Sequence, residues 1–192
     1  LMKYLLATAL FLSGVVPAAS QVHLPLASSI RHEFQKVVAE YPRQFSSIKG
    51  HVINENPQTI EYLSQLQLSG AELCFITRYS SGSKQVYSWQ AVMFTSEDFE
   101  AADKKYQWLF KQLKGMNIFH VKDQYTLKGQ FETASESRKF TTSTLSVASP
   151  PEPYEKLKVE VALQYEFPEW KVNLLVYEKE REDDERGEIV EE

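Results

Sequence analysis

Two stretches of the chain, sixty-five residues apart, align without a gap as copies of one helix. Glu33 to Gly50 (EFQKVVAEYPRQFSSIKG) and Asp98 to Gly115 (DFEAADKKYQWLFKQLKG) match Phe34 with Phe99, Tyr41 with Tyr106, Phe45 with Phe110 and Ile48 with Leu113, and both close on Lys-Gly. Counted from the first Phe, the matched positions fall at 0, 7, 11 and 14, one face of a 3.6-residue helix. Val37, Val38, Ala102 and Leu109 widen that face. A chain that buries the same apolar stripe twice is expected to repeat one helix-plus-sheet unit.

The ends of the helices carry their own signals. Ser29 is the expected N-cap of the first, Thr95 and Ser96 of the second, with Glu97 and Asp98 in a first turn where the dipole favours negative charge. Pro42 removes a backbone donor inside the first copy, so a kink after Tyr41 or a second short helix is expected there. Gln107 replaces it in the second copy, which should be straighter. Gly50 and Gly115 are expected to close the helices in the left-handed conformation.

Each helix precedes strand-like segments. Ile60 to Leu68 alternates apolar with polar residues, Ser69-Gly70 turns it into Glu72 to Tyr79, and Gln85 to Phe94 (QVYSWQAVMF) is apolar on both faces, as in a central strand. In the second copy Tyr125 to Thr133 and Ser137 to Val147 match the first two of these. Leu157 to Tyr165 then alternates, and Phe-Pro-Glu-Trp turns it into Lys171 to Tyr177. Segments 51–57 and 116–122 are ambiguous and could each hold a further strand. The expected fold class is therefore α+β: pseudo-duplicated αβββ units forming one antiparallel sheet with two helices packed on one face, in a single domain over 21–177 with units of about 28–95 and 96–177. Two separate halves of that size would bury their cores poorly.

Residues 1–20 read as a secretory signal peptide: one early cation (Lys3), an apolar run from Tyr4 to Val16 too short to cross a bilayer, then Ala18, Ala19 and Ser20. A periplasmic or extracellular protein is expected, without a membrane span after signal removal. At the other end, 178–192 holds nine acids and three bases, whereas residues 21–177 balance at seventeen of each. That tail is expected to be solvated and largely disordered. A neutral body without a basic stripe argues against nucleic acid as a partner.

No residue pattern points to a reaction. The single cysteine, Cys74, sits in an expected strand and reads as a small buried apolar residue. The four histidines lack a metal-ligand spacing, and there is no Gly-x-Ser-x-Gly, P-loop or dinucleotide fingerprint. Acid pairs such as Glu97 with Asp98, or Glu132 with Glu136, are explained by first-turn helix chemistry and solvated strand edges. Neither a catalytic residue, a metal nor a cofactor is nominated, and the chain is read as leaning away from enzymes. The aromatic residues are more telling. Tyr79, Tyr87, Trp89, Trp108, Tyr165, Trp170 and Tyr177 combine flat apolar area with a polar tip, which suits a ligand or partner surface as well as a core edge.

The segments IKG, ELCFITRYSSG and YSWQAVMFTSEDFEAADKKYQWLFKQL, over about residues 30 to 115, resemble a group of small secreted proteins of Bacteroidetes-type bacteria. The resemblance implies export and an α+β domain. Together these readings lead to the expectation of a secreted or periplasmic non-enzymatic binding domain for a protein segment or a small apolar ligand. The alternative is a small exported hydrolase.

Overall fold

The computed structural model describes residues 27–81 and 84–178. The expected signal peptide and the tail after Glu178 lie outside them. The chain runs α1 (Ala27–Glu40), β1 (Lys49–Glu55), β2 (Thr59–Ser64), β3 (Leu73–Ser81), β4 (Lys84–Ser96), α2 (Phe99–Leu113), β5 (Asn117–His120), β6 (Asp123–Gly129), β7 (Phe140–Val147), β8 (Leu157–Glu166) and β9 (Glu169–Glu178). Every pairing is antiparallel. The spatial order is β1-β2-β3-β4-β9-β8-β7-β6-β5. Two meanders, one of four strands and one of five, thus meet along β4 and β9, from Trp89 opposite Val176 to Ser96 opposite Trp170.

This architecture overturns the expected α+β fold of pseudo-duplicated αβββ units with two helices on one face. Strand makes up 49% and helix 25% of the described residues, which form one large antiparallel sheet accompanied by two short helices. The ambiguous segments are responsible for part of the difference, because they form the outer strands β1 and β5 and lengthen the sheet to nine strands. The helices are also not equivalent. α2 packs on β4, β8 and β9, whereas α1 lies along β5 and the end of α2 and reaches β4 through the edge of Phe34 on Trp89.

The matched sequences do not occupy matched places. Phe34 falls in the middle of α1, but Phe99 is the first residue of α2. The reason is local chemistry at both ends. Pro42 stops α1 at Glu40, and the chain continues as two 3-10 turns, Tyr41–Arg43 and Ser46–Ile48. Between them Gln44 and Phe45 are left-handed (φ 54° and 57°), which turns the Phe45 ring into the core. The second helix has no such break and is capped by Asp98, whose carboxylate accepts from the Glu100 N–H at 2.9 Å. Ser29, expected as a cap, is inside α1. Gly115 does close α2 at φ 75°, while Gly50 is in β1, where a Cβ would stand 2.6 Å from the Leu63 carbonyl oxygen.

The core lies between the helices and the sheet. Ile30, Phe34, Val37 and Val38 of α1 and Ala102, Tyr106, Leu109 and Leu113 of α2 meet Trp89, Met93, Val161, Leu163, Val172 and Leu174. Several of the polar atoms that enter it are paired, while Thr141 Oγ1, opposite Leu163, has no partner among the described residues. The Trp89 indole N–H donates to Ser64 Oγ at 3.1 Å, and Ser64 donates to the Leu66 carbonyl at 2.7 Å. The Tyr106 hydroxyl, 2.6 Å from Ser143 Oγ, ties α2 to β7, and burial pushes that phenol up to about 12. Glu33 accepts both the N–H and the hydroxyl of Ser69 at 2.6 Å and so anchors α1 to the turn between β2 and β3.

One turn is poorly matched to its sequence. β5 and β6 are joined through Val121 and Lys122, with His120 opposite Asp123, and Val121 sits at φ 57° with 88% of its surface exposed. A β-branched residue gains nothing there by burial and clashes with its own backbone. Val121→Gly should therefore raise stability by about 1 kcal/mol in urea denaturation, with an unchanged slope.

Candidate functional site

The sheet has a core-facing side, defined by Cys74, Ile76, Trp89, Ala91, Leu174 and Val161, and a second side formed by the residues that alternate with them. Strand register places these in rows. One row runs Leu63, Phe75, Gln90, Leu175, Glu160 and Thr144 across six adjacent strands. The next runs Leu73, Val92, Asn173, Ala162 and Thr142. Leu63, Phe75, Val92 and Leu175 are half-buried and Leu73 is exposed, so an apolar band crosses β2, β3, β4 and β9 between polar flanks.

Asn173 stands at the β9 end of this band. It is only 6% exposed, and its Oδ1, closed to solvent, has no hydrogen-bond partner among the described residues. A buried carboxamide oxygen left unpaired is unfavourable by about 1 to 3 kcal/mol. Its neighbours Val92 and Ala162 offer no donor from their side chains. Beside the band, the Tyr177 hydroxyl donates to Glu160 Oε2 at 2.9 Å, and Ser88 Oγ lies 3.4 Å from the Tyr79 hydroxyl.

The seven aromatic residues offered as a ligand or partner surface or a core edge stand at several places in the fold. Tyr79 and Tyr177 belong to the second side of the sheet. Trp89 is fully buried in the core. Tyr165 and Trp170 pack with ring centroids 5.0 Å apart and planes tilted by 52° beside the β8–β9 turn, Phe99 meets Trp170 at 5.0 Å, and Lys139 Nζ lies 3.9 Å above the Tyr165 ring. Trp108 is half-buried on α2 under the Lys105 ammonium at 5.0 Å, and burial holds that ammonium's pKa below its ordinary value. Tyr87 lines a cleft of about 380 Å³ with Tyr41, Phe45, Glu152, Glu155 and Glu178. Burial raises the Tyr41 phenol pKa there, with Glu178 adding to it. Lys156 is 3.9 Å from the Glu178 carboxylate in the same cleft.

The sequence reading missed Asn173, Leu63, Phe75 and Leu175. The signal for the first was present: in KVNLLVY a single amide interrupts a strand that is otherwise apolar at almost every position. Cys74 is buried, and burial pushes its thiol up to about 11, which leaves it protonated and unreactive at neutral pH. Among the described residues no three His, Cys, Asp or Glu side chains converge as metal ligands, and no helix is long and apolar enough to cross a membrane. Comparison with protein-family models, curated proteins and solved structures returned no match.

Proposed function

We propose that this chain is a non-enzymatic binding domain, exported to the periplasm or the cell exterior, and that its ligand is an extended protein segment laid across the second side of the sheet. The observation that carries the reading is the apolar band of Leu63, Phe75, Leu73, Val92 and Leu175 on the second side of the sheet. An extended peptide offers apolar side chains at alternate residues for Phe75 and Leu175. The leader-like start of the chain supports export. Polar flanks at Glu160, Thr144 and Thr142 resemble the rim that surrounds an apolar interface centre.

Panning a displayed peptide library against the full chain tests this. Selected peptides should bind wild type and lose about tenfold or more in affinity on Phe75→Glu and on Leu175→Glu. Separately, Asn173→Leu should raise stability by about 1 kcal/mol, since it removes an unpaired buried polar group. Peptides that bind the wild type, Phe75→Glu and Leu175→Glu equally would place the ligand elsewhere and overturn the reading.

A further inference from the structure

The outer edge of β1 has an unusual pattern. Lys49 pairs with Ser64, Val52 with Tyr62 and Glu55 with Ile60, and the register slips between Lys49 and Val52 and again between Val52 and Asn54. Ser64, Tyr62 and Ile60 alternate along β2 and so share its core-facing side, where Ser64 meets Trp89. The two slips therefore bring Lys49, Val52 and Glu55, three residues apart instead of two, to one face of β1. The strand from His51 to Glu55 is exposed throughout, with Val52 at 47% and Ile53 at 40%.

A strand with two bulges fits a regular partner poorly, because each extra residue breaks the ladder. It fits itself. Turned about a twofold axis through Val52, a second β1 runs antiparallel to the first and sets the irregular 50–51 stretch of each copy against residues 53–54 of the other. Val52 then meets Val52 on the axis. Lys49 of each copy stands opposite Glu55 of the other, so both ends of the pair carry opposite charges on the same face. In the single chain the Lys49 ammonium lies inward, 4.9 Å from the Tyr62 ring of β2 and 5.2 Å from the Tyr87 ring of β4, and it turns outward to meet the Glu55 carboxylate of a second copy.

We propose that β1 is a self-association edge, and that two copies of the chain join β1 to β1 antiparallel about Val52 into one sheet continuous across both molecules. The interface is isologous, so it closes as a dimer and does not propagate. A single strand pair falls at the small end of interface sizes, and the dimer is correspondingly concentration-dependent.

Sedimentation equilibrium over about 5 to 500 µM should show a monomer-dimer equilibrium for the full chain. Glu55→Lys sets like charges opposite each other twice and should weaken the dimer about tenfold or more. Adding Lys49→Glu to that variant restores opposite charges and should bring association back to within about threefold of wild type. In a second measurement, Val52→Cys should form an interchain disulfide under mild oxidant faster than Ile53→Cys, because only residue 52 faces its own copy; buried Cys74 does not compete. A monomer at every concentration would overturn the proposal. So would a dimer indifferent to Glu55→Lys, or cross-linking no faster through position 52 than through 53.

Discussion

Phe34→Ala should destabilise the protein by about 3 to 5 kcal/mol, while Phe99→Ala should cost about 2 kcal/mol or less. The two residues occupy the same place in the aligned helical sequences, yet their surroundings differ. Phe34 has no exposed surface and meets the edge of Trp89 at 6.4 Å, between α1 and the centre of the sheet. Removing its ring leaves a cavity lined by side chains held from both sides, which cannot collapse into it. Phe99 opens α2, is only half-buried, and rests on Trp170 at the end of the sheet, where solvent can fill the space. Urea denaturation of both variants measures the difference. Equal losses would mean that the two copies are structurally equivalent after all.

Gly129→Ala should be nearly as damaging, at about 3 kcal/mol, although it adds a single methyl group. A Cβ at this position would lie 2.1 Å from the Thr144 carbonyl oxygen and 3.1 Å from Leu145 Cα, both backbone atoms of the paired strand. The only relief is to separate β6 from β7, which are joined by only three residue pairs, Leu127 to Gly129 against Val147 to Leu145. β5 pairs only with β6, and α1 is fastened to β5 by the Gln35 amide donating to the Asn117 carbonyl at 2.9 Å. Hydrogen exchange should therefore accelerate through β5, β6 and α1 together, with β3, β4 and β9 little changed. Gly115→Ala is the control: its φ of 75° disfavours alanine, but a Cβ there would meet nothing within 4 Å, so a loss near 1 kcal/mol is expected. If Gly129→Ala were no worse than Gly115→Ala, the close approach of β6 to β7 would be refuted.

Sequence periodicity located the strands of the sheet interior because their apolar positions alternate cleanly, as in Leu157, Val159, Val161 and Leu163. It left β1 and β5 undecided. Residues such as His51 and Val52 are exposed in an outer strand, so no burial pattern marks them. The helix match was misleading because identical apolar spacing can serve different frames: α1 starts six residues before Glu33, and Pro42 ends it early. A bulge in β4 also defeated simple alternation, since the slip between Val92 and Phe94 carries Phe94 to the side of Val172. The aromatic residues were legible as anchors of local packing but not as one surface. Their grouping depends on which strands become neighbours, and β4 beside β9 is a pairing across the whole second unit.

That pairing has a consequence for how the chain reaches its native state. The last strand is the middle of the sheet, so the first meander and the second cannot be joined until the segment ending at Glu178 exists and finds its place. The pairing of β4 with β9 waits on contacts of high sequence separation, such as Trp89 with Val176, which slows two-state folding through loop closure. A nascent chain emerging in order would present unpaired inner edges on both meanders for most of its synthesis. The seam at β9 thus acts as a late checkpoint: a chain stopped just before Glu169 holds both α-helices and eight of the nine strands of the described residues, and still lacks the piece that makes them one molecule.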